Sequence, residues 1–341
     1  GIAKDYEPML LIPIGFGAIL ANLPLTGATE EGGFLDILYR AGIVTELFPL
    51  FIFIAVGAMT DFGPLLENPR MALLGAAGQF GIFGTLMLAL LLKFPINQAA
   101  SIGIIGAVDG PTAIYVSSKL APELLGPIAV CAYSYMSLVP IIQPPVMRLL
   151  TTPAERRVRM PYTQHQVSKT VRILFPITVT IVVSLIAPKA SPLIAALMFG
   201  NLLRESGAVE RLSHAAQNEL ANLTTIFLGL VVGSTMNGED FLQTRTLAIL
   251  AMGLAAFILD TAGGVLFGKL MYLLSGKKFN PLIGAAGISA FPMSARIVQR
   301  VGVEYDYENF LLMHAMGANA AGQLASVVAG GVVLAILAGV L

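Results

Sequence analysis

Eleven long apolar runs, separated by charged or Pro/Gly-rich breaks, make up most of this chain. They fall at about 9–25, 44–60, 70–93, 99–119, 123–148, 171–187, 190–203, 222–236, 246–274, 281–299 and 309–341. Many approach the ~20 residues that a helix needs to cross a bilayer. They do not alternate in polarity as the shorter strands of a membrane barrel do. The pattern predicts an all-α membrane protein, a polytopic helical bundle. Composition decides against a soluble reading of the same runs. Only 12% of residues are charged and mean hydropathy is +0.80, whereas soluble domains carry about a quarter charged residues. Such a chain must turn much of its surface to lipid. The Leu/Ile/Val/Phe runs exclude a disordered chain despite 35 Gly and 20 Pro.

The formal net charge of zero argues against nucleic acid as a partner. The single Cys131 excludes an intrachain disulfide and a cysteine metal cluster, and reads as a small buried apolar residue. The first apolar run, Met9 to Leu20, is short for a span, so further residues are expected upstream of Gly1. No cleavable signal peptide is visible.

The most charged loop runs from Arg148 to Arg172. It sets Arg148, Arg156, Arg157, Arg159, Lys169 and Arg172 against Glu155. The positive-inside rule makes it cytoplasmic. Counting spans onward puts 204–219 and 275–279, with Lys277 and Lys278, on the same side.

The two halves echo each other. Ile52-Phe-Ile-Ala-Val-Gly57 recurs as Phe227-Leu-Gly-Leu-Val-Val-Gly233, with the final glycines 176 residues apart. Gly106-Ala-Val-Asp-Gly110-Pro111 is echoed by Gly284-Ala-Ala-Gly287-Ile-Ser289-Ala-Phe-Pro292, at an offset of 178. The division that follows is an N-terminal helix and loop (1–43), a first repeat (44–148) broken within 99–119, the basic loop (149–172), and a second repeat (173–341) broken within 280–299. If 99–119 crosses fully, the helices at 44–60 and 222–236 enter from the same side. If it dips in and returns, the repeats are inverted, as transporter repeats often are. The Asp109-Gly110-Pro111 break favours the inverted arrangement, since Pro111 lacks an amide donor and Gly110 permits unusual dihedrals.

Asp109 is the most informative residue. It is the only acid between Glu67 and Glu123. An ionised carboxylate at the bilayer centre costs ~2.5–3.5 kcal/mol on insertion scales. A broken helix exposes carbonyls, which with a carboxylate and the Thr112 hydroxyl form an oxygen cage for a hard cation. Proton relay is the related reading, and the bland one is an Asp capping a helix that begins at Pro111. In the second break Asn280 and Ser289 offer neutral oxygens. Arg296 either snorkels to headgroups or clamps a carboxylate with its guanidinium fork. Tyr133, Tyr135, His314, Asn319 and Asp260 are polar residues within apolar spans, for each of which core packing is the competing role. Gly263-Gly-Val-Leu-Phe-Gly268-Lys269-Leu270 mimics a phosphate loop, but Leu270 replaces the Ser/Thr. Gly15-Phe-Gly17 lacks the third glycine of a dinucleotide turn, and the three histidines show no zinc spacing. With no ATP-hydrolysing motif, energy must come from an ion gradient or from a reaction supplied by another subunit.

Seven motifs then become specific. Gly106 to Pro122 (GAVDGPTAIYVSSKLAP), Ala58 to Leu66 (AMTDFGPLL), Tyr133-Ser-Tyr135, Gln143-Pro-Pro145, Gly200 to Gly207 (GNLLRESG), Asn280 to Gly284 (NPLIG) and Asn309 to Gly317 (NFLLMHAMG) occur in order. Together they resemble the membrane β subunit of sodium-pumping biotin-dependent decarboxylases, over essentially the whole chain. The resemblance implies a fold similar to elevator-type transporters with inverted repeats, in the inner membrane of a prokaryote. It implies decarboxylation of carboxybiotin coupled to Na+ export, with a proton consumed from outside. Implied partners are a biotin carrier protein, a carboxyltransferase α subunit, a small membrane γ/δ subunit and further copies of the chain. Asp109, Tyr135, Asn280, Gly284, Ser289 and Arg296 match positions used for sodium, protons or carboxybiotin, and Asn319 matches a sodium position in the second repeat. Of these, Asp109, Tyr135, Ser289 and Arg296 are the catalytic candidates. Asn280, Gly284 and Arg296 are the candidates for carboxybiotin, and Asp109, Thr112, Asn280, Ser289 and Asn319 those for Na+. Departures are Ala318 where a proline is usual, Asp260, and a short 26–36 segment. Rivals are a Na+- or H+-coupled carboxylate symporter without enzymatic activity, and a passive anchor for soluble enzymes.

Overall fold

The computed structural model describes residues 2–3, 8–162, 167–236, 238 and 243–337. It is helical throughout, with no strand among the described residues. The elements are α1 (Pro8–Asn22), α2 (Phe34–Tyr39), α3 (Leu47–Met59), α4 (Met71–Ala77), α5 (Phe80–Leu91), α6 (Ile96–Gly103), α7 (Gly110–Leu120), α8 (Leu125–Leu150), α9 (Lys169–Ile186), α10 (Ser191–Ser206), α11 (Ala221–Ser234), α12 (Thr244–Leu274), α13 (Met293–Tyr305) and α14 (Leu312–Leu337). Among the described residues, five helices or helix pairs are long and apolar enough to cross a membrane, or six if the bent pair at 34–59 counts as one. The chain is a multi-pass membrane protein by length and composition.

Glycines let these helices approach backbone to backbone. A Cβ on Gly57 would lie 1.8 Å from the Leu197 carbonyl oxygen, and one on Gly200 would lie 1.9 Å from that of Ile54. Those contacts join α3 to α10. Gly233 against Ile14 (2.0 Å) and Gly17 against Leu230 (2.2 Å) join α11 to α1 in the same way. Small residues are the usual means of close helix packing in lipid, where no hydrophobic force draws helices together.

The segment 96–120 folds back on itself as a hairpin. Helix α6 runs into a 3₁₀ turn (Ile104–Ala107), the chain breaks at Val108 and Asp109, and α7 returns. The two ends meet: Asn97 donates to the Leu120 carbonyl (2.9 Å) and Gln98 to Glu123 (2.7 Å). The segment 280–309 is a second hairpin. Asn280 opens it, a 3₁₀ stretch (Pro281–Gly287) and an extended stretch follow, and α13 returns. Its ends also meet, because Asn280 and Asn309 both donate to the carbonyls of Arg156 and Val158. The predicted helix at 281–299 is therefore α-helical only from Met293. Gln143 on α8 braces this hairpin by donating to the Ala285 carbonyl (2.9 Å), which also takes the Ser294 hydroxyl (2.9 Å). Arg148 pairs with Glu304, and Arg159 with Asp306 and Glu308, at the end where the second hairpin opens. Asp306 outside the spans is thereby held below the usual carboxylate range, chiefly by the Arg159 guanidinium.

The sequence reading missed two features. The run expected to loop from 26 to 43 carries α2 and a π turn. The expected single helix at 70–93 is interrupted by a turn at Gly78 and Gln79.

Candidate functional site

The hairpin tips converge on α14. Asp109 is 4% exposed and N-caps α7, accepting from the Thr112 amide (3.3 Å) and hydroxyl (2.8 Å). Its Oδ2 also accepts from Gln323 (3.1 Å) and Ser326 (2.8 Å) on α14. No Lys, Arg or His pairs with it among the described residues. One turn back along α14, Asn319 donates to the Ile288 carbonyl (2.6 Å), and the Ser289 hydroxyl donates to the Gly322 carbonyl (3.0 Å). Asn319, Gln323 and Ser326 are spaced four and three residues apart, so they share one face of the helix. That face touches both breaks.

Local chemistry explains the geometry. Pro111 near the start of α7 costs no internal hydrogen bond, and Val108 adopts a left-handed φ of 54° to turn the chain. A Cβ at Gly110 would lie 2.2 Å from the Tyr133 ring, so glycine lets the ring seat under the break. Tyr133, not Tyr135, thus touches the first tip. Tyr135 donates its hydroxyl to the Leu250 carbonyl (2.7 Å) and packs edge-on against Phe257.

The remaining predicted residues lie elsewhere. Asn280 spends its amide on the basic-loop carbonyls and its oxygen on the Leu282 amide, closing the hairpin's base. Gly284 is a contact residue: a Cβ there would lie 2.0 Å from the Gly264 carbonyl oxygen on α12. Arg296 is exposed on α13 and pairs with no carboxylate among the described residues. Gln323 and Ser326 were missed by the sequence reading. Their signal was present: three polar residues on one face of an otherwise apolar 26-residue helix.

The arrangement suits a hard, weakly polarising cation. Its donors are a carboxylate, hydroxyls, amides and carbonyls, and no cluster of three His, Cys, Asp or Glu occurs among the described residues. The Asn319 side-chain oxygen is buried with no hydrogen-bond donor among the described residues. An unsatisfied buried acceptor costs about 1–3 kcal/mol, and a bound cation would remove that cost.

A family model described as the Na+-transporting oxaloacetate decarboxylase beta subunit matches residues 1–337. This chain belongs to that family. The methylmalonyl-CoA decarboxylase subunit beta of Veillonella parvula is 56% identical over 98% of this chain and 89% of its own length. The glutaconyl-CoA decarboxylase subunit beta of Acidaminococcus fermentans is 54% identical over 99% and 90%. The oxaloacetate decarboxylase beta chain of Klebsiella pneumoniae is 49% identical over 98% and 91%. The family is thus one of β subunits in sodium-transporting decarboxylase complexes, and the candidate site is buried among the helices of a member.

Proposed function

We propose that this chain is the sodium-translocating subunit of a biotin-dependent decarboxylase in a prokaryotic inner membrane. The observation that carries this is the uncompensated Asp109 carboxylate, buried where two broken hairpins meet one polar face of α14. Sodium, the cargo, binds there. Asp109 supplies the charge, and Thr112, Ser289 and Asn319 supply neutral oxygens. The hydroxyls that now donate to Asp109 and to Gly322 can turn a lone pair to the ion, because a hydroxyl both donates and accepts.

The inverted-repeat reading rests on matched contacts. Gly106 of the first hairpin lies against Gly81 of α5, and Gly284 of the second lies against Gly264 of α12. The hairpins open at the two ends of α8: Gln98 of the first bonds Glu123 just before that helix, while Arg148 near its end pairs with Glu304 of the second. A pump needs one site reached in turn from each face, and two opposed hairpins around one site provide that by small rigid movements. The family resemblance extends this to an elevator-type transporter and to a homo-oligomer.

Arg296 fits a carboxylated substrate: it is a free guanidinium fork on the second hairpin. Carboxybiotin, presented by a biotin carrier protein, supplies the exergonic loss of CO2. Arg296 would orient the incoming carboxylate at the cytoplasmic mouth. Tyr135 and Asp109 are the chain's candidates for carrying the proton that the reaction consumes. The carboxyltransferase α subunit selects the acyl donor, and a small γ/δ subunit completes the membrane part. Moving one charge against 100 mV costs ~2.3 kcal/mol, so decarboxylation must be tied to ion movement. The test is ²²Na+ uptake by vesicles containing the whole complex during carboxybiotin turnover. Uptake that stops in Asp109→Asn supports the assignment. Uptake of a carboxylate by the chain alone, without biotin, would replace it with the symporter.

A further inference from the structure

We propose that Asp260 is a positioning residue for the sodium site, acting through a third interruption that lies between the two hairpin tips. The proposal rests on the sodium reading above. The span 71–91 is broken by a turn at Gly78 and Gln79, after which α5 restarts. The first amides of any helix lack internal partners, and no side chain of α5's own neighbourhood caps it. The Gly81 amide, second in α5, instead donates to Asp260 Oδ1 at 2.8 Å. Asp260 comes from α12, 179 residues away, and is 0% exposed. Its second oxygen has no partner among the described residues. A carboxyl group is costly at this depth, and packing alone would be served by leucine. What the carboxyl adds is the cap.

The capped turn touches both breaks. A Cβ on Gly78 would lie 2.2 Å from the Gly287 carbonyl oxygen, two residues before Ser289. The Gln79 side-chain amide, which donates to the Gly75 carbonyl (3.2 Å), also reaches the Gly322 carbonyl (3.5 Å), the same carbonyl that takes the Ser289 hydroxyl. A Cβ on Gly106 would lie 2.5 Å from the Gly81 carbonyl carbon, and Gly106 stands three residues before Asp109. Residues 78–81 are therefore a backbone wedge with Ser289 and Asn319 on one side and the Asp109 loop on the other. Among the described residues Asp260 makes no hydrogen bond to either tip. It fixes the wedge, and the wedge sets how the two halves of the cation site face each other.

The test uses the complete complex in vesicles, with decarboxylation measured against sodium concentration. Asp260→Leu is expected to raise the half-saturating sodium concentration about tenfold, the scale of one lost hydrogen bond to a charged group. The rate at saturating sodium should fall far less. Asp260→Asn, which keeps an oxygen for the Gly81 amide, should restore half-saturation to within about threefold of wild type. Gly81→Ala, whose Cβ would lie 2.6 Å from Asp260 Oδ1 and 2.7 Å from the Ala256 carbonyl oxygen, should shift half-saturation at least as far as Asp260→Leu. The double variant Gly81→Ala/Asp260→Leu should be no worse than the worse single, since both act on the same turn. A lower maximal rate or yield with unchanged half-saturation would show that Asp260 only holds the fold. If Asp260→Leu yields no complex, an unshifted Gly81→Ala overturns the proposal alone. If wild type shows no sodium dependence, the sodium reading itself falls. Normal dependence that Asp109→Asn abolishes, but neither Asp260→Leu nor Gly81→Ala moves, refutes only the proposal.

Discussion

Asp109 and Asp260 both stand at the start of an interrupted membrane helix, but they are held differently. Asp109 caps its own half-helix, and three of the four donors around it are side chains that can rotate away: Thr112, Gln323 and Ser326. Asp260 caps a half-helix of another span through a single backbone amide. Rotatable donors can exchange with a cation, because a hydroxyl offers it an oxygen once it stops donating. A backbone amide cannot. The comparison separates a carboxylate that exchanges partners from one that anchors a turn, although both sit in apolar sequence.

The largest test of that distinction is Asp109→Asn. It keeps the cap to Thr112 and removes the charge, so sodium-dependent turnover should fall by about a hundredfold or more, as expected for loss of the single ligand charge in a low-dielectric site. Steady-state decarboxylation against sodium concentration measures it. Asn319→Ala removes the buried bare oxygen and the link to Ile288, and should raise half-saturating sodium about tenfold with a smaller effect on maximal rate. Gln323→Ala and Ser326→Ala each delete one of several donors to Asp109. Each should shift half-saturation only about two- to fivefold, and equal shifts would sharpen the view that these donors are interchangeable. The smallest effect is expected at Arg159→Ala on the exposed base of the second hairpin. Exposed ion pairs contribute little because water and salt screen them, so the thermal midpoint at pH 7 should move by about a few degrees at most. Asp306, its partner, is depressed below its ordinary value in the folded state. The stabilisation is complete above that ordinary value and lost as pH falls through the depressed one. Thermal melts of wild type and Arg159→Ala should therefore converge only under strongly acidic conditions.

Much of this was legible in the sequence. Asp109 announced itself because a lone acid in an apolar run next to Gly-Pro is expensive unless used. The second break was visible as Gly and Pro spaced between Asn280 and Pro292, and its ends bond the basic loop. The turn at Gly78 and Gln79 was not legible, because Gly78 sits among small apolar residues that read equally well as continuous helix. The carboxylate that caps the helix after it lies 179 residues away in Asp260, and no local periodicity carries that information. Tyr135 and Tyr133 could not be ranked either, since which phenol faces the break depends on Gly110 seating one ring beneath it. Asn280 looked like a ligand because it is an amide beside a broken helix. In space it ties the hairpin's base, a role decided by the fold of residues 156–158. Gln323 and Ser326 lie on an unbroken helix, where no Gly-Pro interruption marks them and only their shared face does.

Equilibrium binding of ²²Na+ to the purified complex in detergent, for wild type, Asp109→Asn and Asp260→Asn, tests the sodium site without turnover. Saturable binding in wild type and Asp260→Asn that disappears in Asp109→Asn is the predicted result. Undiminished binding by Asp109→Asn would contradict it.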